Sequence, residues 1–292
     1  MPLADVSAEP MPKLPPRAAD SHKGDYGRVL VVGGSRGMAG APALAGKAAL
    51  RSGAGLVTLA VPRSIQATVA GFEPSYMTLS FGSADEDSLR GEDVDDVLQA
   101  ADRMTAIALG PGLGASAYTV GLVHDLYGRI EQPMVVDADG LNALAQDLDQ
   151  IRSTVAPRIL TPHPGEFQRL VGEKCVAELA GRAEQAAELC RRDGSARTIV
   201  VLKGQRTIVT DGRQYTVNAT GNPGMATGGT GDCLTGVIVA LLAQGMSPWE
   251  AARLGVHVHG LAGDLAAAEL GQVSLIASDL VEYLPRAFMN LS

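Results

Sequence analysis

Asn222-Pro223-Gly224-Met225-Ala226-Thr227-Gly228-Gly229-Thr230-Gly231-Asp232-Cys233-Leu234-Thr235-Gly236 is the stretch on which the reading turns. It opens into Cys233 to Ala243, the most apolar run of the chain, which reads as a buried helix. Free backbone N–H groups at such a helix start form an anion hole, and glycines let a phosphate approach closely. An aspartate there is paradoxical, because like charges repel. Asp232 makes sense if its carboxylate accepts a proton from a substrate hydroxyl while the N–H groups stabilise a transferring phosphoryl group. The plain alternative is that Asp232 caps the helix.

Upstream, short β-branched runs alternate with Ala- and Leu-rich segments. Strands are predicted at Val29–Val32, Leu56–Val61, Ile107–Leu109, Met134–Asp137, Ile159–Thr161 and Ile199–Leu202. Their near-continuous hydrophobicity marks strands covered on both faces, hence a mainly parallel sheet. Helices are predicted near 41–52, 119–129 and 176–192. Asp211-Gly212 sits between Thr207–Thr210 and Tyr215–Asn218 and signals a hairpin. Ser247-Pro248-x-Glu250 supplies an N-cap, a first-turn proline and a capping-box glutamate. The order predicts a three-layer α/β fold with a mainly parallel central sheet flanked by helices. Residues 1–20, rich in proline, are predicted to be a disordered tail, and residues 21–292 a single domain. The acidic patch from Asp85 to Asp96 reads as a solvated loop leading into a surface helix.

Bulk properties narrow the class. The chain has 292 residues, 46% apolar and 19% charged, and a formal charge of −8. A chain of this size buries a core without disulfide or metal staples. The acidic balance, without a basic cluster, argues against a nucleic-acid partner. Cys175, Cys190 and Cys233 form neither a disulfide framework nor a CxxC pair, which fits a reducing cytoplasm. There is no apolar leader segment and no apolar run long enough to span a bilayer, so no membrane partner is expected.

Most glycines fall at predicted strand ends, where open α/β sheets bind ligands. Val32-Gly33-Gly34-Ser35-Arg36-Gly37-Met38-Ala39-Gly40-Ala41 follows the first strand, but its spacing is neither GxGxxG nor a P-loop. Gly110-Pro111-Gly112-Leu113-Gly114 follows a second strand. Asp137-Ala138-Asp139-Gly140-Leu141-Asn142 sets two carboxylates at a third. Asp139 is expected to cap the next helix, and Asp137 is a magnesium or phosphate-water candidate. In Thr161-Pro162-His163-Pro164-Gly165-Glu166 two prolines lock the loop that carries His163. His22, His124, His257 and His259 read as structural. The last two are two residues apart on a helix and point to different faces.

Taken in order, His22-Lys23-Gly24-Asp25-Tyr26-Gly27, the Gly33–Ala41 loop, GPGLG (110–114), DADGLNAL (137–144), TPHPGE (161–166), Val201-Leu202-Lys203-Gly204 and NPGMATGGTGD (222–232) resemble the ADP/ATP-dependent NAD(P)H-hydrate dehydratases. GTGD before an apolar helix resembles the anion hole of the wider ribokinase-like superfamily. The resemblance covers about residues 22–290. It implies a metabolite-repair lyase that phosphorylates the C6 hydroxyl of the S form of NAD(P)H hydrate and then eliminates phosphate. It further implies that Ala41, Gly112, Gly114 and His163 contact the hydrated cofactor. Lys203, Gly204, Gln205, Arg206, Thr207, Asn222, Gly229, Thr230 and Gly231 would hold ADP or ATP, with ADP favoured, and Asp232 would act on the hydroxyl. Mg²⁺ is expected with the nucleotide. A cytoplasmic homo-oligomer is also implied, coupled to an NAD(P)H-hydrate epimerase on a separate chain. Two rivals share GTGD: a small-molecule kinase acting on a pyrimidine or thiazole alcohol, and a non-catalytic nucleotide sensor.

Overall fold

The computed structural model describes residues 3–152 and 154–291. Among these, strands β1 (Ala4–Asp5), β2 (Arg28–Val32), β3 (Leu56–Pro62), β4 (Met77–Phe81), β5 (Ala106–Leu109), β6 (Met134–Val136), β7 (Arg158–Leu160), β8 (Thr198–Leu202), β9 (Ile208–Thr210) and β10 (Gln214–Val217) form one sheet. Its order is β1-β10-β9-β8-β7-β6-β5-β2-β3-β4. β2 to β8 run parallel, and β9 is antiparallel to both of its neighbours. Each predicted strand is present with ends within one residue, and the hairpin turns at Asp211-Gly212.

The parallel strands divide their side chains between two cores, because successive residues of a strand point to opposite faces. Val29, Val31, Ala106, Ala108 and Val201 enter one core with α1 (Gly40–Arg51), α8 (Thr230–Ala243), α9 (Pro248–Leu270) and α10 (Ala277–Met289). Leu30, Val32, Ile107, Leu109 and Leu202 enter the other. There they meet α3 (Val94–Ala101), α4 (Ala117–Arg129), α5 (Asp139–Leu144), α6 (Pro164–Val171) and α7 (Leu179–Arg191). A short α2 (Gln66–Ala70) precedes β4. Burial on both faces is why these runs lack alternation in the sequence. β4 at the sheet edge, half exposed, and the short helices α2 and α6 give no such signal in the sequence.

Two features position the ligand edge. α1 lies directly on α8: a Cβ on Gly236 would sit 2.1 Å from the Ala45 carbonyl oxygen, so only glycine permits the approach. The strand order also reverses between β2 and β5. The chain leaves β2 for β3 on one side and returns as β5 on the other, so the loops beyond these strands diverge and open a crevice.

The predicted disordered tail needs correction over its described part. Ala4–Asp5 adds a strand to β10, with Ala4 N–H to Arg213 O at 3.1 Å and Val6 N–H to Tyr215 O at 2.9 Å. Buried Arg253 donates to the carbonyls of Glu9 and Pro10, and Met11 and Leu14 pack on the core. The physical reason is an edge strand and a buried guanidinium, both of which need partners. Met1 and Pro2 lie outside the described residues.

Candidate active site

The crevice between β2 and β5 holds the first cluster. Gly34 N–H donates to Pro111 O at 2.8 Å, and Ser35 Oγ to Gly112 O at 2.9 Å, tying the two glycine loops together. Gly112 has φ 64°, and a Cβ there would meet Met38 O at 2.9 Å and Ala41 Cβ at 3.0 Å. Gly112 thus packs against Met38 and Ala41, and a Cβ on Gly114 would come within 4 Å of Met38 and Ser35. The acidic patch is not merely solvated. Arg36 pairs with Asp87 and its N–H donates to Asp87 O, so the patch folds onto the first glycine loop.

Asp139 departs from its expected role as a cap. Ala138 takes the N-cap position of α5 with φ 50°, and this turns the Asp139 carboxylate to accept from Gly114 N–H at 2.8 Å. It fastens the loop after β5 instead.

Below lies a buried charged group. Asp137, at the end of β6, accepts from Lys203 Nζ at 2.7 Å through Oδ1 and from Thr235 Oγ1 at 2.8 Å through Oδ2. Glu166 stands 3.8 Å from Lys203. Burial favours a neutral Asp137, but the Lys203 ammonium and the hydrogen bonds outweigh it and hold its pKa below the usual carboxylate value. Burial likewise opposes the Lys203 charge, and the Asp137 and Glu166 carboxylates more than offset it, raising its pKa. Burial raises the pKa of Glu166, with Lys203 acting against. Each Asp137 oxygen thus already accepts one hydrogen bond from within the protein. No cluster of three or more His, Cys, Asp or Glu suited to a metal exists among the described residues. The residues present suit magnesium that keeps water and ligand oxygens around it.

His163 caps α6. Its Nδ1 accepts from Gly165 N–H at 2.9 Å and Glu166 N–H at 3.3 Å, while Glu166 returns the bond to His163 N–H at 2.8 Å. Nδ1 therefore carries no proton, leaving Nε2–H as the donor of a half-exposed ring. Burial, then the Lys203 charge, lowers the pKa of His163, so the ring is neutral near pH 7.

Beyond Lys203 a cleft of about 590 Å³ opens, within the range of small-ligand sites. Lys203, Gly204, Gln205, Arg206 and Thr207 form one wall, and the segment from Asn218 to Pro223 another. Thr230, Gly231 and Leu234 of α8 and Val256, His259 and Gly260 of α9 close it. Asn222 Oδ1 accepts from Gly224 N–H at 3.0 Å, and its Nδ2 donates to Asp264 at 2.9 Å. Gly229 does not line the cleft; it starts α8 packed against Leu44 and Ala277. His259, read from sequence as structural, is a wall residue. Asp264, Thr235 and Glu166 also support the site without having been singled out. Only Glu166 left a legible trace, three residues after a capping histidine.

Asp232 sits in the first turn of α8 between the two regions. The cap position belongs to Gly229, so the capping alternative is not met. Burial, then the neighbouring Asp137 charge, pushes its pKa up to about 7, although Lys203 pulls the other way. A carboxylate poised near neutrality beside a helix amino end is suited to accept an alcohol's proton.

This sheet, its switch-point crevice and the glycine turn into α8 define a ribokinase-like α/β protein. Residues 29–286 match the family described as NAD(P)H-hydrate dehydratase, and the chain belongs to that family. It is 46% identical over 281 residues to the bifunctional NAD(P)H-hydrate repair enzyme Nnr of Moorella thermoacetica, covering 96% of this chain and 52% of that one. The corresponding enzyme of Thermofilum pendens is 42% identical over 285 residues, covering 97% of this chain and 53% of its own length. The chain thus spans about half the length of the curated relatives it matches. Among solved structures, the ADP/ATP-dependent NAD(P)H-hydrate dehydratase of Bacillus subtilis, co-crystallised with ATP/Mg²⁺, superposes with a TM-score of 0.79 at 34% identity. That match covers 96% of this chain and 95% of the other.

Proposed function

We propose that this protein dehydrates the S form of hydrated NADH or NADPH at the expense of ADP or ATP, regenerating the reduced cofactor. In this reading the nucleotide occupies the cleft between Lys203–Thr207 and Asn218–Asn222, with its terminal phosphate against the N–H groups of Thr230 and Gly231. The hydrate lies over Ala41, Gly112 and Gly114, with His163 Nε2–H available to an oxygen of the ligand. Asp232 accepts the proton of the C6 hydroxyl as that oxygen takes the phosphoryl group. Transfer releases ADP from ATP, or AMP from ADP. The C–O bond then breaks with the ring nitrogen lone pair supplying electrons, and phosphate departs in place of hydroxide, a far poorer leaving group. The iminium ion so formed loses a proton from C5 to restore the dihydronicotinamide ring. Lys203, held charged by Asp137, faces the phosphate: its Nζ lies 3.2 Å from where a Cβ on Gly231 would be. Magnesium bound to the nucleotide phosphates would neutralise part of their charge.

The observation that carries the reading is Asp232, with its pKa near 7, set beside the open amino end of α8. Purified protein given the S hydrate, Mg²⁺ and either nucleotide should restore the nicotinamide absorbance. Recovery with neither nucleotide overturns the reading. A stable phosphorylated product without NADH would instead assign the chain to the small-molecule kinases of this fold. The same reading includes a cytoplasmic location, assembly as a homo-oligomer and functional coupling to an NAD(P)H-hydrate epimerase activity, and light scattering of the purified chain tests the oligomer. No described helix is long and apolar enough to cross a membrane.

A further inference from the structure

The first intrahelical bond of α8 runs from Cys233 N–H to Gly229 O at 3.1 Å, so the N–H groups of Thr230, Gly231 and Asp232 lie ahead of the helical ladder. What aims them is therefore a question about the peptide planes of that turn. Thr230 is held at both ends. Its Oγ1 bonds to the carbonyls of Met225 at 3.0 Å and Thr227 at 3.1 Å, and its carbonyl oxygen lies 2.8 Å from His259 Nε2. A carbonyl only accepts, so Nε2 carries the proton and donates. The Thr230 carbonyl and the Gly231 N–H belong to one planar trans peptide unit and point in opposite directions. Fixing the oxygen fixes the N–H.

We infer that His259 is a positioning residue: by donating to Thr230 O it sets the peptide plane that aims the Gly231 N–H into the anion hole. His259 comes from the middle of α9, a 23-residue helix anchored by a capping box at Ser247 and Glu250, so the brace is rigid. The ring lines the same cleft as Thr230 and Gly231. Burial lowers its pKa to about 4, so it stays neutral and the donated bond persists across the working pH range. The role rests on the proposed phosphoryl transfer for its catalytic consequence, but the aim of the N–H is a property of the folded chain alone.

The test compares His259→Leu, which removes the donor, with His259→Gln, whose carboxamide nitrogen can restore it. Losing the aim of one transition-state donor should lower kcat about 10- to 100-fold in the Leu variant, less than outright removal of such a donor. The KM for nucleotide should change less than about threefold, because ground-state binding draws on the whole cleft. The Gln variant should recover most of kcat, and both variants should keep a cooperative melt. Independently of turnover, the Gly231 amide proton should move downfield on titration with ADP in the parent and the Gln variant, and clearly less in the Leu variant. His259→Asn, too short to reach Thr230 O, replaces the Leu variant if that protein does not fold. A Leu variant within twofold of parental kcat, or Leu and Gln variants equally impaired, overturns the inference. If the parent proves inactive while the amide shifts follow the expected order, the dehydratase reading fails and the positioning role stands.

Discussion

At the scale of single residues, Asp232 gives the sharpest expectations. With its pKa near 7, kcat should be flat above that pH and fall as the carboxylate protonates below it. A folded-state pKa raised above the unfolded value means the folded chain binds the proton more tightly, so this group weakens stability as pH rises from about 4 through 7. Asp232→Asn should therefore abolish turnover, by at least about 10³-fold, yet raise Tm at pH 8 by a few degrees, with the gain vanishing near pH 4. Calorimetry at both pH values checks this. Asp232 and His163 were legible in the sequence because glycines and prolines around them announce built loops. His259 was not, because helical spacing says which face a residue takes and not which neighbouring helix that face meets.

Among the elements, α8 and the ends of β6 and β8 share the Asp137–Lys203–Thr235 group. Removing one partner of a buried ion pair strands the other. Lys203→Met should thus cost about 3–5 kcal/mol in denaturant unfolding, and adding Asp137→Asn should recover much of that loss. On the substrate side, Gly112→Ala introduces a methyl group 2.9 Å from Met38 O at a left-handed φ. It should raise the KM for hydrate at least about tenfold while leaving nucleotide affinity within about twofold, as separate titrations would reveal. The parallel strands were predictable because burial on both faces writes an uninterrupted apolar run. Short α2 and α6 are hidden in the sequence, since one or two turns carry no period. Asp139 was misread as a cap because the left-handed Ala138 leaves no mark in the sequence.

Across the whole molecule, the segment from Leu3 to Arg17 crosses from the edge of β10 to the base of α1, where Arg17 donates to Gly53 O at 2.7 Å. Composition alone suggested disorder there, because a strand added at an edge gets its order from its neighbour and not from its own sequence. Arg253→Ala should release this strap, seen as faster amide exchange in residues 4–14 with β2 and β5 unchanged.

The central claim is that the hydroxyl oxygen of the substrate leaves on phosphorus. Hydrated NADH carrying ¹⁸O at C6, turned over with ATP or ADP, should yield inorganic phosphate bearing one ¹⁸O, read by mass spectrometry. Unlabelled phosphate, with the ¹⁸O found in water, would contradict the account.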